Sequence, residues 1–250
     1  MKYFMRLSYV GTGFSGFQFQ PDARTVQGVL NEAFAAVFGQ RALVTSSSRT
    51  DAGVHALASA LTVALPGGVL PIPPERLALA VQTHLPPDVS VFDVEARSDD
   101  FHVRHDVTGK EYLYLIANTP LRDPFFQNRA WFYPKQLDEN ALTRMKRAAG
   151  YLIGEHDFAA FHAQGSLVAT TVRRLTACEV MRNGDLVQVS VTADGFLYNM
   201  VRIIVGTLVE IGVGRIEPEE IPAILSSRDR SRAGMTAPPE GLYLRRVFYE

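Results

Sequence analysis

The stretch Ser46-Ser47-Ser48-Arg49-Thr50-Asp51-Ala52-Gly53-Val54-His55-Ala56 is a polar turn set between two apolar runs, Arg41 to Thr45 and Leu57 to Leu65. Runs of this kind read as strands and the turn as their connection, so Asp51 is presented at a strand end. A cation, a carboxylate, a glycine and an imidazole fall between positions 49 and 55. A carboxylate held there can be solvated, paired with Arg49, or used as a base or nucleophile. Composition does not choose among these.

Outward from the turn, the elements fall into a recognisable order. Residues 2–10, KYFMRLSYV, alternate as a strand. Gly11-Thr12-Gly13-Phe14-Ser15-Gly16 matches the glycine spacing of a dinucleotide loop. That fingerprint needs a helix to open at the third glycine and meet the pyrophosphate, whereas Pro21 and other residues intervene here, so the match is rejected. The helix is expected from Thr25, its N-cap, to Gly39, with Val26, Val29, Leu30, Ala33, Phe34, Val37 and Phe38 on one face. Beyond the two strands, Pro66-Gly67-Gly68 breaks the chain and Pro74 opens a second helix. Residues 88–96 alternate as a strand. Strand, helix, strand, strand, helix, strand is the ferredoxin-like order, and it fills residues 1–103.

Residues 104–250 repeat the order loosely. Strands are expected at 110–117, 129–133, 171–181, 185–193 and 242–249, helices at 137–152 and 196–212, and an inserted short helix at 218–226. The fold class is therefore α+β, with two ferredoxin-like domains. Phe196 to Gly212, FLYNMVRIIVGTLVEIG, leaves little polar face and reads as a buried helix, too short to span a bilayer. Arg202 sits in its middle. Such an arginine either snorkels to solvent or reaches an acid that must stay ionised, because an unpaired buried charge costs several kcal/mol.

Composition sets broad limits. At 250 residues, 47% apolar and 20% charged, the chain is globular. Cys178 is the only cysteine, which rules out an internal disulfide and suits a cytoplasmic protein. Residues 1–10 carry no signal-peptide core. The six histidines have no metal-binding spacing with cysteine or acids, so no metal and no cofactor is expected. A net charge of −1 does not advertise a polyanion ligand, although Lys146-Arg147, Arg173-Arg174, Arg228 with Arg230 and Arg232, and Arg245-Arg246 form basic clusters.

Several separate motifs together resemble the tRNA pseudouridine synthase A family over nearly the whole chain. Ser48 to His55 resembles its catalytic loop, in which the aspartate is essential. Phe101-His102-Val103-Arg104 with Lys110-Glu111-Tyr112-Leu113-Tyr114 is similar to its tyrosine motif, and Phe196 to Leu208 and Ala237 to Leu244 to two further blocks. Three positions depart from the family pattern: Val10 stands for aspartate, Phe17 for tryptophan and Ser48 for glycine.

The resemblance implies isomerisation of uridine to pseudouridine at positions 38 to 40 of the tRNA anticodon stem-loop. It also implies two sheets joined edge to edge with helices on one face and a central active-site cleft, and a cytoplasmic homodimer that binds tRNA without cofactor or membrane. Asp51 is then the nucleophile or base, Arg202 its counter-charge, Tyr112 the stack for the displaced uracil, Arg49 an RNA contact and Leu244 a packing residue beside the base. His55 becomes loop support. Two other classes compete: a non-catalytic RNA-binding module on the same paired domains, and an acid–base hydrolase using Asp51 with His55. Gly53 between the latter two opposes a helix that would put them on one face.

Overall fold

The computed structural model describes residues 1–165 and 168–250 as two compact units. The first comprises Met1–Thr108 and Tyr243–Glu250, and the second Gly109–Leu242. The sequence places the boundary at 103/104 and leaves the last strand with the second half. The first unit instead continues to Thr108, and it takes in the C-terminus, where Tyr243 and Leu244 pair in parallel with His55 and Ala56.

In the first unit, β1 (Lys2–Tyr9) lies between β4 (Val89–Arg97) and β3 (His55–Ala64), antiparallel to both. β2 (Leu43–Ser46) pairs with the far end of β3, Ser46 opposite Leu61, while β10 (Leu242–Tyr249) pairs with its beginning. The order β4-β1-β3-β2 is that of the ferredoxin-like unit. The helices are α1 (Val26–Phe38) and α2 (Pro74–Gln82). Thr25 caps α1 by accepting from the Gly28 N–H at 3.2 Å, and Gly39 ends it in the left-handed region.

β1 is buried on both faces. Met5 and Leu7 are fully buried, while Phe4 on the opposite face meets Phe101 and Tyr249 edge-on at 5.4 and 5.3 Å. Burial pushes the Tyr249 hydroxyl well above the usual phenol range, and it donates to the Val103 carbonyl at 2.8 Å. The segment Phe101–Arg104 is thereby fixed against the first unit.

In the second unit, β5 (Val107–Ala117), β9 (Leu186–Ala193), β8 (Val172–Asn183) and β7 (Gly154–Asp157) are antiparallel neighbours in that order, and β6 (Trp131–Phe132) pairs with β5. α3 (Glu139–Leu152) packs on α4 (Met200–Gly212), and α5 is Ile221–Ser227. β7, GEHD, is short and polar and carries no strand periodicity, so it is invisible in the sequence.

α4 begins four residues later than its apolar pattern, because Asn199 is left-handed at φ 59° and a right-handed helix cannot run through it. Cys178 is buried in β8, and desolvation pushes its thiol up to about 12, which leaves it inert.

Candidate functional site

Asp51 is half-buried in the turn between β2 and β3. The Val54 N–H donates to the Asp51 carbonyl at 3.2 Å, and Gly53 has φ +80°, which a side chain at this third turn position would resist. The residue just before Asp51 is tied twice. The Tyr9 hydroxyl and Thr50 Oγ1 share a buried hydrogen bond at 2.7 Å, and the Phe17 N–H donates to the Thr50 carbonyl at 3.0 Å.

On the far side, His55 is 1% exposed, accepts from the Gly11 N–H through Nδ1 at 3.0 Å, and stacks on Tyr243 at 4.6 Å. An accepting Nδ1 places the proton of the neutral ring on Nε2. His55 is thus a support of the turn, and the glycine loop Gly11–Gly16 serves to brace it; α1 opens only at Val26.

The three departures from the family pattern are structurally mild. Phe17 is buried against Tyr9 with ring centroids 6.4 Å apart. Ser48 is buried with an ordinary negative φ, so no glycine is required there. Val10 occupies the N-cap of the short turn Gly11–Gly13 and offers no side-chain acceptor to it.

Arg49 is exposed and borders a cleft with Phe17, Gln18, Gln27, Ser46 and Arg104. Leu244 is fully buried in β10, opposite Ala56.

The second unit holds Tyr112 and Arg202. Tyr112 on β5 is 9% exposed and meets Phe196 edge-on at 5.0 Å. Arg202 is half-buried; its Nε donates to the Ala237 carbonyl at 2.6 Å and its Nη1 to Asn199 Oδ1 at 2.8 Å.

At the start of the block Ala237–Leu244 two backbone carbonyls, those of Ala237 and Pro238, serve as acceptors. The Tyr114 hydroxyl, raised well above its ordinary range by burial and then by Glu240, donates to the Pro238 carbonyl at 2.6 Å. The preceding segment lies close on α4 because Gly206 has no Cβ: one there would lie 1.8 Å from the Met235 carbonyl oxygen. Sequence reasoning missed Tyr114, Thr50 and Tyr9 as positioning residues. Their partners lie 124 and 41 residues away, beyond any local pattern.

Among the described residues, no group of three or more His, Cys, Asp or Glu side chains is placed to hold a metal ion, and no helix is long and apolar enough to cross a membrane.

Comparison with known proteins adds a family. A model described as tRNA pseudouridine synthase matches residues 6–106 and 148–250. The tRNA pseudouridine synthase A of Thermoanaerobacter sp. (strain X514) is 43% identical over 245 residues, covering 97% of each chain. That of Bacillus pumilus (strain SAFR-032) is 42% identical over 252 residues, covering 100% of each. A crystal structure of a Cbf5-Nop10-Gar1 complex aligns with 98% of this chain and 59% of that chain at a TM-score of 0.39 and 13% identity, too weak a likeness to bear on fold or function.

Proposed function

Because the chain belongs to the tRNA pseudouridine synthase family, and so isomerises uridine to pseudouridine in tRNA, we propose that its targets are uridines of the anticodon stem-loop and that Asp51 is the reacting carboxylate. In this isomerisation the bond from C1′ to N1 breaks, a bond from C1′ to C5 forms, C5 loses its proton and N1 gains one. Atoms and electrons balance within the substrate, so the enzyme needs to supply only a nucleophile or base and a place to hold the detached ring.

The observation that supports Asp51 is the bracing of its backbone. Thr50 is tied from Tyr9 and Phe17, and the turn closes through Gly53 and His55. A carboxylate that needs only to be solvated requires no such fixing, whereas one that must meet a reacting atom within a few tenths of an ångström does.

Reaching it requires the uridine to leave its stack, at a cost of a few kcal/mol. Tyr112 is proposed to offset that cost by stacking on the displaced uracil, and its edge-on contact with Phe196 holds the ring in place. Arg49, exposed beside the turn, contacts the RNA, and Arg202 adds positive charge to the bound state. The working form is proposed to be a cytoplasmic homodimer.

The decisive experiment incubates unmodified tRNA with wild type and with Asp51→Asn and maps pseudouridine by carbodiimide adducts. Asp51→Asn is expected to bind tRNA and to lose turnover by on the order of 10⁴-fold. Turnover within tenfold of wild type would remove Asp51 from the chemistry, and adducts outside the anticodon stem-loop would overturn the assigned targets.

A further inference from the structure

Two exposed arginines, 55 positions apart in the chain, border one small cleft next to the Asp51 turn, and neither is neutralised. Arg104 arrives there by a specific route. Phe101 is held against Phe4 and Tyr249, and the Val103 carbonyl accepts from the Tyr249 hydroxyl. His102 then closes a tight turn by accepting the N–H groups of Arg104 and His105 through Nδ1 at 3.2 and 3.3 Å, while Asp106 accepts the His102 N–H at 2.8 Å. From this turn the Arg104 Nε donates to the Ser46 carbonyl at 2.8 Å, at the last residue of β2.

That single bond occupies Nε and fixes the plane of the guanidinium. Among the described residues the two Nη groups of Arg104 have no protein acceptor, and the Arg49 guanidinium has neither acceptor nor ion-pair partner. The other lining residues are Phe17, Gln18, Gln27 and Ser46, whose hydroxyl donates to the Ser48 carbonyl at 2.7 Å. Both ends of the Gln27 amide are already used, on the Val44 carbonyl and the Phe19 N–H. Among the described residues no carboxylate borders the cleft, whose volume is about 120 Å³.

Two guanidinium groups that border one cleft without a counter-charge repel each other, and an anion that enters between them is attracted by both. In an enzyme that acts on tRNA, the anion at hand is a phosphodiester. We propose that Arg49 and Arg104 together form a phosphate site for the RNA backbone beside the Asp51 turn, which sets where the target nucleotide enters. Arg104 is a positioning residue: it touches the backbone of the substrate and carries no proton in the reaction. This rests on Asp51 marking the reacting end of the first unit.

The test measures the affinity of unmodified tRNA as a function of salt for wild type, Arg104→Gln, Arg104→Lys, Arg49→Gln and the double Gln variant, with thermal melts of each. Loss of one phosphate contact is expected to weaken binding by roughly tenfold and to reduce the slope of log affinity against log salt by about 1 per arginine. Lysine at 104 should restore the slope, because the charge returns even though the bond to Ser46 is altered. An Arg104→Gln slope equal to wild type would overturn the site, as would a Lys variant that loses as much slope as Gln while melting early, which would make Arg104 only a strut for β2.

Asp51→Asn serves as the parallel control, since it should keep the wild-type slope. If that variant still turns over, the catalytic reading of Asp51 fails while the slope result for Arg104 stands by itself.

Discussion

Arg49 and Arg202 both lie in blocks that resemble the family, and the structure gives them opposite surroundings. Arg49 is exposed on a braced turn and has no protein partner among the described residues. Arg202 is half-buried and spends two donors on the Ala237 carbonyl and Asn199 Oδ1. One guanidinium is free to meet a ligand, while the other is also part of the frame that carries residues 234–238 on α4. A charge in a motif can therefore serve the substrate or the protein, and the distinction rests on which acceptors the fold supplies.

That contrast can be broken from either side. The largest effect on stability is expected from Gly206→Ala, because a methyl group placed 1.8 Å from the Met235 carbonyl must displace the 234–238 segment and with it the acceptors of Arg202 and Tyr114. A loss of about 3 kcal/mol is expected in chemical denaturation, and a loss under 0.5 kcal/mol would show that the segment is not packed as described.

Arg202→Met keeps the aliphatic stem but strands the Ala237 carbonyl and Asn199. It should cost about 1–3 kcal/mol by the same measurement. Arg49→Met is the matched control: stability within about 0.5 kcal/mol of wild type, with weaker tRNA binding in a filter assay. Equal destabilisation by the two substitutions would erase the distinction between them.

The smallest effect concerns the turn that braces Asp51 from the other side. Val10→Asp would supply the missing acceptor at the cap of Gly11–Gly13, and a gain of about 0.5–1 kcal/mol is expected. A loss would mean that the apolar contacts of Val10 outweigh the cap.

Much of the architecture was legible from local pattern. Thr25 and Gly39 mark the ends of α1 by their own chemistry, and the alternation of residues 2–10 and 88–96 identifies β1 and β4. Where local pattern misled, a backbone or long-range cause is identifiable. The apolar run starting at Phe196 continues through Asn199, whose left-handed backbone postpones α4 to Met200. The polar tetrapeptide Gly154–Asp157 becomes a strand only because β8 offers it an edge. The last strand leaves its sequence neighbours to pair with β3.

The site divides along the same line. By itself the sequence determined the residue types at Ser48–His55, the glycine at the third position of the Asp51 turn and the helical face around Arg202, since each depends on neighbours within one turn of chain. Only the tertiary structure decided that Tyr9 holds Thr50, that His55 accepts from Gly11, and that Arg104 comes to rest on Ser46 in the cleft bordered by Arg49. Those contacts join residues 41 to 58 positions apart. Hydrogen bonds act over about 3 Å of space whatever the separation in sequence, so a partner becomes visible only when the chain has folded back to meet it.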